Sequence, residues 1–522
     1  MSSLYHQTRP ELSITKGSRR NSWSAAAAAT VLAGLAAQYF LVPGSGIKTA
    51  GTPSAIERCL DDVCAGASDC VQFPSLSKQD GAADSGSWMR PFNLGLTSVP
   101  TAIVRPRNAG EVAGAVKCAL KHNFKVQAKA GGHSYANHGL GGQNGAISVD
   151  MEHFQYAHVD SAGSSYNVRV GGGTRLGQID ESLQAHHRAV PHGMCASIGI
   201  GGHATVGGIG PASRMWGTTL DSVEEVEVVT ANGTIVRAST QENPDLFFAM
   251  RGAGSGFGIV TEFVMRTHPA PPAVLHFTQD FAYDDLEELV NVFHDWQEVV
   301  ADPALDHRLG TEIVLTPQGA RIMWTWYGNE ADLRHTGILD RLTAKGGSLN
   351  FRQESWEGSL ALLAAEESMH RPEKPGRLHS RSRGLGRRDL LSRAHISAAF
   401  DKLQRGRDVT GPWAIKFQAV GGAVSEVPAA GTAYAHRDDV VLYHSFAADA
   451  SKDARDLLDE FHRALLNMAP GASGTYPGFA DPELRDPQPS YWGPNLAALE
   501  EIKGRWDPED VFHNPQGVVP RA

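Results

Sequence analysis

Short apolar runs alternate with amphipathic segments in the first half of the chain. One segment has Val112, Val116 and Leu120 at intervals of four residues, which places them on one face of a helix. Another segment alternates apolar and polar residues on both sides of Asn232-Gly233, a dipeptide that favours a two-residue hairpin turn. The pattern predicts a domain of short strands and helices over residues 95–269.

Longer alternating runs follow in the second half of the chain. They predict strands that are interleaved with helical patterns, as in an antiparallel sheet backed by helices. We assign residues 270–480 to this second domain and residues 481–522 to a C-terminal segment with a helix and an extended tail. The stretch Arg371–Arg393 is basic and rich in turn-forming residues, and it is interpreted as a solvated loop, with attraction of an acidic substrate as the alternative. The expected fold class is α+β.

Length and charge limit the possible functions. The chain has 522 residues, which is too long for one hydrophobic core. Its net charge of −10 argues against nucleic acid as the main partner, because proteins that bind nucleic acid present basic surfaces. We expect a soluble, monomeric catalytic part that acts on a small molecule.

A basic segment precedes a long apolar run at the N-terminus. Lys16, Arg19 and Arg20 are followed by the twenty residues Trp23–Val42, a pattern typical of an export signal. The run is also long enough to cross a bilayer if it is not cleaved. Residues 1–45 therefore predict a signal peptide or a signal anchor. The protein is expected to be secreted or lumenal in the secretory pathway, or membrane-anchored through residues 23–42.

The cysteine count is odd. The five cysteines are Cys59, Cys64, Cys70, Cys118 and Cys195. Pairing is expected in an oxidising compartment, and one cysteine must be left over. Three of them lie in residues 46–94, a segment that leads into the first domain, and Cys195 is far from the other four in sequence. This separation suggests a different role for Cys195.

Several glycine-rich turns fall within the first domain, and two of them carry reactive side chains. His133 follows Gly131-Gly132, whereas Cys195 and His203 bracket the second turn. No turn matches the dinucleotide fingerprint or a Walker loop. A zinc site would lack a fourth ligand, and a Cys–His nucleophilic pair would lack an orienting group. The turns favour a large phosphate-bearing ligand bound by main-chain amides, with plain tight turns as the alternative.

The order of these motifs resembles the berberine bridge enzyme-like branch of the vanillyl-alcohol-oxidase flavoproteins, and it is most similar to the fungal glucooligosaccharide-oxidase group. The motifs are "AKAGGHSYANHG", "VPHGMCASIGIGGHATVGG" and "YWGPNLAALEEIKGRWDPEDVFHNPQ". The resemblance is close over residues 95–270 and 485–520 and looser between them. It implies a PCMH-type FAD-binding domain joined to a substrate domain.

The resemblance also implies that FAD is attached covalently at two points. His133 would bond the 8α-methyl carbon of the flavin, and Cys195 would bond C6. The other residues that the resemblance places at the cofactor are Gly131, Gly132, Ser134, Gly199, Gly201, Gly202, His203, Ile259, Tyr491 and Asn495. It implies no metal.

The catalytic base is the point at which the sequence departs from the family. Phe479 stands where relatives have a tyrosine base, and phenylalanine cannot take a proton. Lys416 and Gln418 stand where the partners of that base are expected. Three alternatives stay open: Tyr476 as a phenol beside Lys416, Lys416 itself if it is buried, or a substrate that needs no side-chain base. The candidate catalytic residues are therefore Lys416, Tyr476 and Gln418.

The resemblance implies oxidation of a small organic molecule, such as a fungal-type secondary-metabolite intermediate. Hydride would pass to the flavin, and O2 would reoxidise it to give H2O2. The alternatives are an oligosaccharide oxidase of the same family and a flavin-carrying cyclase or binding protein without net redox turnover.

Two covalent features remain to be placed. Of the three pairings open to the first four cysteines, we expect Cys59–Cys118 with Cys64–Cys70. The sequon Asn232-Gly233-Thr234 lies in the predicted hairpin and is a candidate for N-glycosylation.

Overall fold

The structure is a computed structural model that describes most of the chain after the N-terminal apolar run. The described residues are 54–74, 87–160, 166–283, 285–339, 351–370, 374–405, 409, 412–471 and 474–521. The predicted signal or anchor therefore lies outside them. Within these ranges every helix is too short or too polar to cross a membrane.

Helices are spread along the whole described chain. In chain order they are α1 Ala55–Val63, α2 Ala109–Lys121, α3 Leu176–Gln184, α4 Ile200–Val206, α5 Ser213–Trp216, α6 Pro244–Met250, α7 Leu286–Ala301, α8 Glu330–His335, α9 Trp356–His370, α10 Arg393–Arg405, α11 Ala423–Glu426, α12 Lys452–Met468, α13 Pro487–Trp492 and α14 Leu496–Trp506. The predicted helix around Val112, Val116 and Leu120 is confirmed as α2, which begins after an Asn108 side-chain cap.

Strands alternate with these helices. They are β1 Val71–Gln72, β2 Ala102–Val104, β3 Val126–Lys129, β4 Ile147–Asp150, β5 Ala157–Asp160, β6 Asn167–Gly171, β7 Arg188–Ala189, β8 Val223–Val229, β9 Ile235–Ser239, β10 Ile259–Arg266, β11 His268–Pro269, β12 Val274–Phe281, β13 Leu309–Thr316, β14 Gly319–Tyr327, β15 Arg352–Glu354, β16 Leu378–Gly386, β17 Trp413–Ala419 and β18 Asp439–Ala448. The hairpin predicted at Asn232-Gly233 joins β8 to β9.

The strands form three main sheets. A mixed sheet has the order β1-β2-β4-β3, and an antiparallel sheet has the order β5-β6-β10-β8-β9. The third sheet is antiparallel with seven strands in the order β15-β12-β14-β13-β17-β18-β16. The mixture of helices, a partly parallel sheet and two antiparallel sheets confirms the α+β fold class.

One face of the seven-stranded sheet is buried under helices. Phe417 of β17 packs edge-on against Phe293 of α7, with their ring centres 4.9 Å apart, and Phe293 also meets Phe400 of α10 at 5.3 Å. Because side chains alternate across a strand, Lys416 and Gln418 project from the opposite face of β17. The hydrophobic core thus fixes which side of the sheet presents these two residues.

The basic stretch Arg371–Arg393 was expected to be a solvated loop, and that expectation is wrong. Its middle part forms β16, which pairs with β18 along nine residues. The strand places Arg381 against Asp481, with Nη1 and Oδ1 2.8 Å apart, and only 9% of the Arg381 side chain is exposed. The strand contains serines and arginines, such as Arg381, where the sequence pattern of a buried strand would have apolar residues.

One disulfide joins α1 to α2, and a second closes the turn between α1 and β1. Cys59 bonds Cys118 and Cys64 bonds Cys70, which confirms the expected pairing. Cys195 is buried and belongs to neither disulfide.

The C-terminal segment packs onto the first two sheets. Tyr491, Leu499 and Val518 join the same apolar cluster as Val168 of β6. The ammonium of Lys503, in α14, is fully buried and donates to the carbonyl oxygen of Gly256, which lies just before β10, at 2.7 Å. The last residues of the chain therefore complete a core begun by the first strands.

Candidate active site

A cavity of about 220 Å³ lies where two glycine turns meet the seven-stranded sheet. It collects most of the predicted site residues, which come from distant parts of the chain. Those that line it are Gly131, Gly132, His133, Ser134, Cys195, Gly199, Gly202, His203, Lys416, Gln418 and Tyr476. The fold thus brings the predicted attachment points and the predicted catalytic residues to one place.

The two glycine turns are in direct main-chain contact. A Cβ on Gly131 would lie 2.3 Å from the amide nitrogen of Gly199, and a Cβ on Gly199 would lie 2.1 Å from that of Gly131. No other residue type fits at such distances. This contact places the loop that carries His133 beside the loop that carries Cys195.

The remaining glycines of the second turn have different roles. A Cβ on Gly201 would lie 2.5 Å from the carbonyl oxygen of Gly172, so Gly201 serves packing between turns. Gly202 lines the cavity, and a Cβ there would meet no atom within 4 Å. Main chain is therefore open to a ligand at Gly202.

Two histidines hold the backbone at Gly193, two residues before Cys195. The amide of Gly193 donates to Nε2 of His203 at 3.0 Å, and Nδ1 of His192 lies 2.8 Å from the Gly193 carbonyl oxygen. Burial, together with the nearby His192, lowers the pKa of His203 to about 3, so its ring is neutral and can accept this bond. His203 was predicted to bind the cofactor, and the structure shows that it also fixes the cysteine loop.

His192 was missed by the sequence analysis. Burial alone would lower its pKa, but the Asp180 carboxylate, 2.7 Å from Nε2, raises the pKa above its ordinary value. The pair supports the charged form of His192 beside a neutral His203. A histidine three residues before Cys195 was the available signal in the sequence.

On the side of the cavity formed by the seven-stranded sheet, Lys416 lies between two carboxylates. Its ammonium is 2.5 Å from Oε2 of Glu312 on β13 and 3.0 Å from Oε2 of Glu367 on α9. All three side chains are almost fully buried, at 10% exposure or less. An ammonium in such an ion pair has no lone pair, and in this state Lys416 donates hydrogen bonds and does not accept a proton.

Neither carboxylate was identified from the sequence. Glu312 is a lone acidic residue in an apolar strand pattern, which was the one local signal. Glu367 lies on the inward face of α9 with Ser359 and Leu363, at intervals of four residues. Its partner is 49 residues away in sequence, and only the folded chain brings them together.

Tyr476 is buried against the second glycine turn. Its phenol oxygen accepts a hydrogen bond from the amide of Gly208 at 2.9 Å. Its ring meets Phe479 edge-on, with the ring centres 5.2 Å apart. The residue predicted as an alternative base therefore lines the cavity and also anchors the loop that carries Phe479.

Aromatic rings form a further part of the cavity surroundings. Phe479 stacks on His444 of β18, with ring centres 3.9 Å apart and planes 8° from parallel. Phe92 stacks on Tyr135 at 6.2 Å and lies 4.5 Å from the ring of His133. Phe479 thus does more than replace a tyrosine, because it contributes to an apolar aromatic wall.

Four predicted cofactor residues lie outside the cavity lining. Gly201 packs on another turn, and Ile259 is in the core of the first domain, opposite Val229. Tyr491 donates from its hydroxyl to Gln516, and Asn495 donates to the carbonyl oxygens of residues 429 and 432. Their contact with a cofactor stays a prediction.

The residues present fit FAD better than a metal. Open main chain at Gly202 suits a long phosphate-bearing ligand, and a thiol and an imidazole from separate loops face one cavity. Across the described ranges, no group of three or more His, Cys, Asp and Glu side chains is arranged to hold a metal ion. His133 and Cys195 would hold the flavin, and the glycine turns would approach the rest of the cofactor.

Comparison with known proteins agrees with this arrangement. A family model described as an FAD binding domain matches residues 100–239, and one described as berberine and berberine like matches residues 475–519. The FAD-linked oxidoreductase sorD of Penicillium rubens is 35% identical over 475 residues, which cover 90% of this chain and 99% of the relative.

Solved structures of similar proteins extend the agreement to three dimensions. The xylooligosaccharide oxidase from Myceliophthora thermophila C1, in complex with xylobiose, has a TM-score of 0.79 and 28% identity, covering 90% of this chain and 100% of that one. A glucooligosaccharide oxidase from Acremonium strictum with a 6-S-cysteinyl, 8α-N1-histidyl FAD has a TM-score of 0.77 and 28% identity, with the same coverage. The chain belongs to the berberine bridge enzyme-like FAD-linked oxidoreductases, and FAD is its cofactor.

Proposed function

We propose that this protein is an oxidase that carries FAD bonded to His133 and Cys195 and oxidises a small organic molecule, with O2 as acceptor and H2O2 as product. The observation that carries the proposal is one cavity lined by both attachment residues and by Lys416, Gln418 and Tyr476. FAD held there would supply a hydride acceptor for the substrate, and O2 would then take up the two electrons to give H2O2.

The side chains of this protein supply binding, orientation and exclusion of water. Two covalent anchors on loops in main-chain contact would hold the cofactor ring in one place. Lys416 and Gln418 are buried donors on one face of β17 and would orient polar groups of the substrate. Phe479 and Tyr476 close the site with apolar surface, which keeps water from the reacting atoms.

We favour a small aromatic or hydrocarbon substrate over a sugar. Phe479, stacked on His444, adds an apolar ring to the cavity lining, and this ring favours a substrate with an apolar body. An oligosaccharide oxidase is the second candidate, and it is favoured by the similarity to the xylooligosaccharide oxidase that was solved with xylobiose.

A peroxide assay separates these candidates. The holoenzyme is incubated in air with benzylamine, 4-methylphenol, benzyl alcohol, cellobiose, xylobiose and chitobiose, and bleaching of the flavin is recorded without O2. We expect an aromatic compound to bleach the flavin and to yield peroxide in air. Peroxide from sugars alone would establish the second candidate, whereas no bleaching by any compound would favour a flavin-carrying cyclase or binding protein.

The proposed location is the secretory pathway or the medium. Two disulfides in the first helices support an oxidising compartment. N-terminal sequencing of the protein from culture medium and from membranes tests whether residues 1–45 are removed or retained as an anchor. Size-exclusion chromatography tests the proposed monomer.

A further inference from the structure

Main-chain hydrogen bonds fix the turn between β8 and β9. The Gly233 amide donates to the carbonyl oxygen of Thr230 at 2.8 Å, and the Thr230 amide donates to the carbonyl oxygen of Thr234 at 2.9 Å. Gly233 has a φ of +72°, in the left-handed region that glycine adopts without strain. The turn therefore holds one defined shape on the surface of the first domain.

The middle residue of this turn packs on a helix. A Cβ on Gly233 would lie 2.6 Å from two side-chain carbons of Lys117 and 2.9 Å from the carbonyl oxygen of Ala113, both on α2. Gly233 is buried by this contact, whereas Asn232 and Thr234 on either side of it are exposed. Packing of the glycine against α2 thus leaves its two neighbours in solvent.

The Asn232 side chain is held through its oxygen. Oδ1 accepts hydrogen bonds from the Thr230 hydroxyl at 2.8 Å and from the Thr234 amide at 2.9 Å. Nδ2 makes no hydrogen bond to any residue of the described ranges. The atom of asparagine to which N-linked sugars are attached is therefore available on an exposed side chain.

Thr234 supplies the second group that the sugar transferase requires. The acceptor pattern is asparagine, any residue except proline, and then serine or threonine, and Asn232-Gly233-Thr234 is its one occurrence in the 522 residues. Thr234 holds the turn through its main chain, and its hydroxyl has no hydrogen-bond partner among the described residues. Both groups of the acceptor pattern are thus outside the packing of the domain.

We propose that Asn232 carries an N-linked glycan. In its formation, Nδ2 bonds the anomeric carbon of the first sugar of a lipid-linked pyrophosphate donor. The bond from that carbon to the pyrophosphate oxygen breaks, and its electron pair leaves with the lipid pyrophosphate. Nδ2 gives up one proton to a base of the transferase. The inference rests on the proposed location in the secretory pathway.

The folded protein has room for this glycan. Residues 223–239, which form β8, the turn and β9, contribute no lining to the active-site cavity. β9 is the outer strand of its sheet, so sugars attached just before it extend into solvent. We therefore expect removal of the glycan from the folded holoenzyme to leave its flavin content unchanged.

Mass spectrometry of the secreted protein tests the inference. The full chain is produced in a secreting yeast, treated with endoglycosidase H, which leaves the first sugar on the asparagine, and digested with trypsin. We expect the peptide Met215–Arg237 to carry one N-acetylhexosamine, and the intact protein to move to lower mass on a gel after the endoglycosidase step. An unmodified peptide from protein that contains the Cys59–Cys118 disulfide would overturn the inference, because that disulfide marks passage through an oxidising compartment.

Thr234→Val is the sharpest variant because it removes only the hydroxyl. The hydrogen bonds of the turn use the Thr234 main chain and the Asn232 side chain, and both are retained. We expect complete loss of the glycan with an unchanged fold, and recovery of the glycan in Thr234→Ser. A glycan on Asn232 in the Thr234→Val protein would contradict recognition of this sequon.

Asn144 offers a matched control. It is exposed and precedes a glycine, as Asn232 does, but Ala146 stands where Thr234 completes the pattern. Asn144→Gln should keep the gel shift, and Asn232→Gln should abolish it. A lost shift in Asn144→Gln would assign the sugar to the wrong asparagine and overturn the inference.

The disulfide separates this inference from the proposals on which it depends. An unmodified Asn232 together with reduced Cys59 and Cys118 would reject the location and the glycan together. A glycan on Asn232 in a protein whose flavin no compound bleaches would support the inference and reject only the oxidase function.

Discussion

The two sides of the cavity are built in different ways. On the cofactor side, glycine turns touch main chain to main chain, and the reactive groups His133 and Cys195 are set by the backbone. On the substrate side, the backbone is regular β-sheet, and the chemistry resides in a charge cluster that joins two strands and a helix. The cofactor side tolerates almost no change in shape, whereas the substrate side is set by the number and sign of charges.

The largest effect on stability and flavin loading is expected where the two glycine turns are in main-chain contact. Gly131→Ala would place a Cβ 2.3 Å from the Gly199 amide nitrogen, and the backbone must move to accommodate it. We expect a loss of about 3 kcal/mol in the free energy of unfolding, with most covalent flavin lost. The ratio of flavin to protein absorbance and a denaturation curve measure both quantities.

A helical glycine provides the control for that variant. Gly504 lies within α14, and a Cβ there meets no atom within 4 Å. Gly504→Ala should retain all covalent flavin and raise stability by up to about 1 kcal/mol. Full flavin loading in Gly131→Ala would show that the turn contact does not constrain the cofactor side.

On the substrate side, removal of a charge should lower both the stability of the protein and the rate of flavin reduction. Lys416→Met leaves Glu312 and Glu367 buried without their shared ammonium, which is expected to cost about 3 kcal/mol of stability. With a substrate identified by the peroxide assay, we also expect flavin reduction to slow by at least about 100-fold, because the ammonium no longer orients the substrate. Stopped-flow reduction and denaturation measure the two effects.

The double variant Glu312→Leu with Lys416→Met makes this test sharper. It removes one charge of each sign but leaves Glu367 buried without an ammonium, so only part of the lost stability should return while flavin reduction stays slow. An unchanged rate of reduction in Lys416→Met would remove Lys416 from the catalytic residues.

A smaller effect is expected from His203, which fixes the loop that carries Cys195. His203→Ala removes the acceptor for the Gly193 amide, at a cost of about 1–2 kcal/mol. The loop then holds the Cys195 thiol less firmly, and we expect a lower fraction of flavin bonded through Cys195 while the His133 bond persists. Mass spectrometry of tryptic peptides reports each bond separately.

The exposed residue His186 serves as the comparison for this variant. His186→Ala should leave both flavin bonds complete. A full Cys195 adduct in His203→Ala would contradict a positioning role for His203.

The smallest effect concerns pH. Because Asp180 raises the pKa of His192 in the folded protein, the pair contributes stability below the ordinary histidine pKa of about 6.5 and loses it as pH rises through the folded value. Asp180→Asn should therefore cost about 1 kcal/mol at pH 5.5 and progressively less above pH 7. Urea denaturation at several pH values measures the difference, and a constant difference would refute the charged state of His192.

The same contrast explains which features the sequence predicts. Gly131, His133 and Cys195 lie in short motifs whose spacing is fixed by local backbone geometry, so their grouping was visible along the chain. The antiparallel strands of residues 270–480 followed from alternating runs, and α2 followed from the spacing of its apolar residues.

Features that depend on long-range pairing were not visible. From its local sequence, Arg381 is expected to be solvated. In the fold it pairs with Asp481, which lies a hundred residues later in the chain. Glu367 likewise follows Glu366 as a second adjacent charge on its helix, and nothing near it in sequence signals Lys416. A local pattern reports burial of apolar groups, but it does not report which distant charge compensates a polar one.

The packing of the C-terminal segment has a consequence for biogenesis. Val518 and the helix that carries Lys503 close the core around β6 and β10, yet ribosomes synthesise them after all the strands on which they pack. The half of the protein that we expect to receive the cofactor therefore cannot finish folding before this segment is made, even though the Cys59–Cys118 disulfide that belongs to it can form early. Removing the segment would thus lower cofactor loading without changing His133 or Cys195.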